Sequence, residues 1–182
     1  MKNGISLSGL SEFVHEVKQD GKEAQASYGV QLDWQSGTRS QVTALAMQLG
    51  RHRLAREFQW TIDEPRPLLG QNHGPNPQEV LLSGLGGCLL VAYAVGASVL
   101  GIQLEKLQIQ VRGNLDLRGF LGVEEQVPVA FQEIEYQVHL AGDGSREQFE
   151  HLHRQVERQS PNRMSLAQGV PLRGHLTIEK RL

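Results

Sequence analysis

The chain has 182 residues, a formal net charge of −2 at pH 7 and 39% apolar residues, with 20 glycines besides; that is the make-up of one globular domain with a real core. The near-neutral charge, with no basic stripe interleaved with aromatics, excludes a nucleic-acid-binding face. The single cysteine excludes an internal disulfide and fits a reducing compartment.

At the N-terminus, Met1-Lys2-Asn3-Gly4-Ile5 lacks the apolar core of a signal peptide, so a cytoplasmic location is expected. Residues 6–19 place Leu7, Leu10, Phe13, Val14 and Val17 at helical spacing, which predicts an amphipathic helix ended by Gly21. Residues 1–25 thus form a helical extension ahead of the main domain, 26–182. From Ala26 the period becomes two: Tyr28, Val30, Leu32 and Trp34 alternate with polar residues as in a half-buried strand. Gln35-Ser36-Gly37-Thr38 turns into a second strand through Val42, Ala44 and Ala46, and Gly50-Arg51-His52 into a third from Leu54 to Ile62. The expectation is an antiparallel meander. Asp63 to Pro75, punctuated by Pro65, Pro67, Gly70 and Gly74, is a long loop of the kind that walls a site.

Asn76-Pro77-Gln78-Glu79 is the strongest local signal: Asn at the N-cap, Pro at the first helical position and Glu at the third. The helix it starts runs to about Leu100 and is apolar on nearly every side. That predicts enclosure by other elements rather than a membrane span, since Ser83, the glycines and Ser98 interrupt the apolar run. Gly84, Gly86 and Gly87 each cost about 1 kcal/mol against Ala in a helix, which points to close packing or a kink beside Cys88. Strands follow from Leu104 toward Leu117 and through Ile134, Tyr136, Val138 and Leu140. Ser145 caps a helix carrying Phe149, Leu152 and Val156, stopped by Ser160-Pro161, and Leu172 to Ile178 reads as a closing strand. The order of elements is that of an α+β fold.

No phosphate loop, dinucleotide fingerprint or nucleophile elbow occurs, and the seven histidines are scattered, so no cofactor or metal is expected. His151 and His153, two apart on a helix, point in different directions. Chemistry is therefore to be sought at Cys88. A cysteine in an apolar helix is commonly just a small core residue. Cys88 lies about three turns in, too deep for the helix dipole to activate it, so a reactive thiolate needs a cation from elsewhere. Arg39, Arg51, Arg53 and Arg56 are the candidates.

The stretch from Asn76 to Cys88 (NPQEVLLSGLGGC) resembles the cysteine-bearing helix of the OsmC/Ohr family, the osmotically inducible and organic hydroperoxide resistance proteins. Trp34-Gln35-Ser36-Gly37-Thr38-Arg39 is similar to that family's first hairpin, and Gly113 to Gly122 (GNLDLRGFLG) to a segment of one OsmC-like branch. Ser160-Pro161-Asn162 falls where the family's second cysteine precedes proline. The resemblance runs from about Ala26 to Ile178. It implies antiparallel sheets around a long buried central helix, in an intertwined homodimer with active sites at the subunit interface.

In the family's peroxidatic members the helix cysteine attacks the O–O bond, an arginine and a carboxylate assist, and the second cysteine closes a disulfide that a dithiol reopens. Carried over, Cys88 is the attacking thiol and Arg39 the arginine. The carboxylate position right after the proline is Gln78; Glu79 is the adjacent carboxylate, although nine residues put it about 180° from Cys88 on a straight helix. Glu64 in the loop is another. Ser160 occupies the resolving position and cannot form a disulfide. Two functions stay open. One is a one-cysteine, thiol-dependent hydroperoxide reductase that draws on an external thiol. The other is a non-peroxidatic protein of the same fold that binds a small apolar ligand, with Cys88 structural.

Overall fold

The computed structural model describes residues 1–179; the last residues of the expected domain, 180–182, lie outside the described residues. Helix α1 (Leu7–Gln19) is capped by Ser6, whose hydroxyl accepts from the Gly9 amide. No residue of α1 is buried, and Leu7, Phe13 and Val14 are exposed. The peptide ahead of it is fixed: the Asn3 amide donates to Ser98 Oγ at 3.0 Å and to the Ile102 carbonyl at 2.8 Å, and accepts from the Leu104 amide at 2.8 Å.

The expected meander is interrupted. Strands β1 (Ala26–Ser27), β4 (Met47–Leu49) and β5 (His52–Leu54) form one antiparallel sheet in the order β1-β4-β5. Strands β2 (Val30–Ser36), β3 (Arg39–Ala44) and β6 (Gln59–Ile62) form another in the order β2-β3-β6. The single strand expected from Leu54 to Ile62 is thus two strands in two sheets, and the one expected through Ala46 stops at Ala44. The cause is local bonding: the Ala44 amide bonds the Phe58 carbonyl and the Leu45 amide the Gly29 carbonyl, so the chain leaves the second sheet there and returns at Gln59. Strand β2 is not half-buried within the chain. Val30, Leu32 and Trp34 are all exposed, Trp34 at 75%.

Helix α2 (Pro77–Val99) begins with the full capping box: Asn76 Oδ1 accepts from the Glu79 amide and the Glu79 carboxylate from the Asn76 amide, both at 2.8 Å. It runs unbroken through its glycines, which serve close approach rather than a kink. A Cβ at Gly86 would lie 3.2 Å from Val111 Cγ2, and the Gly84 carbonyl accepts from Asn162 Nδ2 at 2.8 Å. Gly87 faces open space.

Strands β7 (Leu104–Asn114) and β8 (Glu133–Gly142) make a long antiparallel hairpin, with short helix α3 (Leu117–Phe120) in the connection. Helix α4 (Arg146–Gln159) carries a capping box of Ser145 and Gln148. The core is Leu85, Leu89, Tyr93 and Ala97 of α2 with Ile102, Leu152 and Val156, flanked by the inward side chains of β7 and β8.

The helix carrying Phe149, Leu152 and Val156 ends at Gln159, before Ser160-Pro161, as expected; Pro161 then takes the first position of a further helix, α5 (Pro161–Gln168), where its fixed φ and missing N–H suit it. The strand expected at the end of the chain needs correction. Residues 172–178 form no strand. Leu172, Leu176 and Ile178 are more than 80% exposed, because no edge in the chain is paired with them. The expected enclosure of α2 also holds on one side only; Leu81, Leu90, Val91 and Val99 are exposed.

Leu89 is fully buried at the centre of this core. Leu89→Ala should cost about 2–5 kcal/mol, seen as a lowered urea midpoint; a midpoint equal to wild type would place Leu89 outside the cooperative core.

Candidate functional site

Cys88 sits half-buried near the middle of α2. Its sulfur accepts a hydrogen bond from Ser160 Oγ at 3.3 Å, and Ser160 is fully buried. A serine at a helix N-cap ordinarily turns its oxygen to the second or third amide of the helix. Ser160 N-caps α5 and makes no such bond; its hydroxyl goes to the sulfur instead. The first turn of α5 is held over Cys88 by Asn162 on the Gly84 carbonyl and by Arg163, which donates to the Glu157 carbonyl at 2.7 Å and to Tyr136 Oη at 3.0 Å.

A second cluster forms where β3 and β6 meet the loop 63–75. Asp63 is buried, and its carboxylate is saturated. Oδ1 accepts from Thr38 Oγ1 at 2.7 Å and the Glu64 amide at 2.9 Å; Oδ2 accepts from the Gln71 and His73 amides at 3.1 Å and lies 3.2 Å from His73 Nδ1. The Thr38 hydroxyl and the three amides hold its pKa down at about 2 against the opposing effect of burial. Arg39, the first residue of β3, lies in the same cluster, its Nη1 3.5 Å from His73 Nδ1. Its Nε is buried without a partner, as is Glu64 Oε2. Burial, followed by the neighbouring Asp63 and Glu79 carboxylates, pushes the Glu64 pKa up.

A third set lies between α4 and β8. Tyr93 Oη bonds His153 Nδ1, and Tyr136 Oη donates to Glu157 Oε1 at 3.1 Å. Burial pushes both tyrosines up. Tyr136, His153 and Glu157 line, with Arg163, an open groove of about 610 Å³. His153 thus faces Tyr93, whereas His151 lines a different groove.

Of the residues singled out from sequence, the chain brings together Cys88 and Ser160. Arg39 belongs to the Asp63 cluster and Glu79 to the helix cap. Among the described residues no hydrogen bond joins Cys88 to either, or to another arginine. Arg51 pairs with Glu23 at 3.9 Å, Arg56 stacks 4.6 Å over the Phe58 ring, and Arg53 is exposed. Asp63 and His73 escape a sequence reading because they are ten residues apart in a loop, where no periodicity links them. The only hint is that loop's unusual length.

The architecture, two antiparallel sheet regions and a hairpin packed around a long capped helix with a cysteine at its middle, defines an α+β class. A family model described as OsmC-like protein matches residues 70–173, more than half of the chain, and this chain belongs to that family. Solved structures agree on the fold. An OsmC-like protein from Mycoplasma pneumoniae is 21% identical, with a TM-score of 0.61 over 79% of this chain and 89% of that one. A putative osmotic stress induced and detoxification response protein from Psychrobacter arcticus is 13% identical, with a TM-score of 0.58 over 78% and 89%. An OsmC-like protein of unknown function from Vibrio cholerae is 11% identical, with a TM-score of 0.57 over 76% and 92%. No curated protein matches the sequence.

The Asp63 cluster gives the fold a defined acid response. A carboxyl whose folded pKa is depressed stabilises above its ordinary pKa and loses that stabilisation as pH falls through the folded value. Between pH 3.8 and about 2 the wild type should therefore lose stability that Asp63→Asn lacks at every pH. Thermal unfolding across this range should show the two curves converging toward low pH; a constant gap would remove Asp63 from the acid response.

Proposed function

We propose that this protein reduces organic hydroperoxides with Cys88 as its one redox centre, as an intertwined homodimer regenerated by an external thiol. The observation that carries this reading is the Ser160–Cys88 contact. The hydroxyl that stands where peroxidatic relatives have their second thiol still reaches the sulfur, donating to it from 3.3 Å away. The thiolate attacks one peroxide oxygen: an S–O bond forms, the O–O bond breaks, sulfur is oxidised to the sulfenic acid, and the alkoxide leaves as alcohol after taking a proton. A small thiol then condenses with the sulfenic acid, releasing water, and a second thiol frees Cys88 as the two leave as a disulfide.

The homodimer is supported by the surfaces the chain leaves uncovered. Leu81, Leu90, Val91 and Val99 on α2, Tyr28, Val30, Leu32 and Trp34 on β2 and its approach, and Leu172, Leu176 and Ile178 near the end are all exposed. Apolar side chains gathered on a helix face and a strand face are of the kind that mark interaction surfaces. In the proposed dimer the partner copy's Arg39 cluster supplies a cation to each Cys88, whose sulfur bonds Ser160 and no arginine among the described residues of its own chain.

The binding-protein reading has one observation of its own. Between α2 and β7 runs an open groove of about 400 Å³ lined by Leu82, Gly86, Gly87, Leu90, Ile109 and Val111 together with the polar Glu79 and Ser83. That size and lining suit a small apolar ligand.

The two readings part on the state of the sulfur. Treated with an organic hydroperoxide, the pure protein should carry a sulfenic or sulfinic adduct on Cys88 and no intramolecular disulfide by mass spectrometry. Ser160→Cys, which puts a sulfur where the Ser160 hydroxyl now lies 3.3 Å from Cys88 Sγ, should convert the adduct into a disulfide between Cys88 and the introduced thiol and gain turnover with a dithiol. Cys88 left unmodified under excess hydroperoxide would overturn the peroxidase reading in favour of the binding protein.

A further inference from the structure

A serine that starts a helix ordinarily turns its side-chain oxygen to the second or third amide of that helix. Ser160 starts α5 and makes no such bond. Its hydroxyl donates instead to Cys88 Sγ at 3.3 Å, although a cysteine sulfur is a weak acceptor, and the residue is fully buried. A buried hydroxyl that forgoes its helix cap for a weak acceptor has to be held there. Two side chains in the first turn of α5 do this from opposite sides. Asn162 Nδ2 donates to the Gly84 carbonyl at 2.8 Å, about one turn before Cys88, and ties α5 to the helix that carries the sulfur. Arg163 ties it to α4 and β8. Its Nη1 donates to the Glu157 carbonyl at 2.7 Å, across the α4–α5 turn, and its Nε to Tyr136 Oη at 3.0 Å. The Tyr136 hydroxyl donates in turn to Glu157 Oε1 at 3.1 Å, which closes the brace.

We infer that Asn162 and Arg163 are positioning residues of the thiol site: they hold the Ser160 hydroxyl on the sulfur, and the hydroxyl fixes how the sulfur is presented to the peroxide. The inference rests on the peroxidase reading. Cys88 is half-buried whereas Ser160 is fully buried, so the hydrogen bond engages the sulfur from its covered side and leaves its other lone pairs toward the open side. A nucleophile kept in one orientation reacts faster than one free to turn, because the reacting atoms are already aligned when they meet. Among the described residues the sulfur's hydrogen bond is to Ser160 and not to Asn162 or Arg163, so the two act through the hydroxyl.

The test uses Ser160→Cys in the full chain to report where the turn sits. Diamide closes two neighbouring thiols into a disulfide, taking up the two electrons and two protons they release, and involves no peroxide. Closure onto Cys88 should be slowed about 10-fold or more when Asn162→Ala or Arg163→Met is added, at a temperature where thermal unfolding shows every variant folded. With Ser160 in place, Asn162→Ala, Arg163→Met and Ser160→Ala should each slow single-turnover oxidation of Cys88 by an organic hydroperoxide. Asn162→Ala added to Ser160→Ala should slow it no further, because residues that act through one group are not additive. If Ser160→Cys does not fold, this second comparison decides alone. Closure at the parent rate in both brace variants, or additive effects of Asn162→Ala and Ser160→Ala, would overturn the inference and leave the peroxidase reading standing. A wild-type Cys88 inert to hydroperoxide would overturn both, whatever the closure rates.

Discussion

The fold turns on a long apolar helix that its own chain covers on one side. Helix α2 is 23 residues long and has almost no polar face, yet β7, α4 and α5 cover one side of it, where Leu85, Leu89, Tyr93 and Ala97 are buried. The rest of the molecule follows from that asymmetry. The covered side needs close approach, which Gly86 permits beside Val111 and Gly96 beside Leu152, and the α5 turn that lands there is what brings Ser160 to Cys88. The uncovered side carries Gly87 and the exposed Leu90 and Val91. Strand β2 and residues 172–178 show the same condition, periodic apolar side chains with nothing against them.

This explains which features could be read from sequence. The helix start was legible because a capping box is a local device: Asn76, Pro77 and Glu79 settle it among themselves. The same holds for Ser145 and Gln148 on α4. The α+β class was legible from the order of elements, and the family from the helix motif around Cys88. Sheet order was not, because the departure of the chain at Leu45 and its return at Gln59 depend on hydrogen bonds to Phe58 and Gly29, which no alternation pattern encodes. The strand expected at Leu172–Ile178 has the right period for a strand, but pairing needs a partner edge that the single chain does not offer it. Ser160-Pro161 ends α4, as its sequence indicates, and the same proline also begins α5.

The candidate site was legible in the same partial way. Cys88 and Ser160 are 72 residues apart and meet in the structure as their motif positions suggest. Arg39 is present but is organised by Asp63 and His73, neither of which stands in a motif. Among the described residues the chain holds a thiol with a hydroxyl donor and, apart from it, the Arg39–Asp63–His73 cluster. The proposed homodimer would combine the two.

That combination across two chains is the central claim, and subunit mixing tests it most directly. Arg39→Ala and Cys88→Ser proteins, each inactive alone in hydroperoxide reduction with an external thiol, are co-refolded in equal amounts. If each site takes Cys88 from one chain and Arg39 from the other, half the dimers are mixed and each holds one intact site, so the mixture should recover about a quarter of wild-type activity. If the site lies within one chain, no mixed dimer holds an intact site. A mixture as inactive as its parents, with heterodimers shown to be present, would contradict the account.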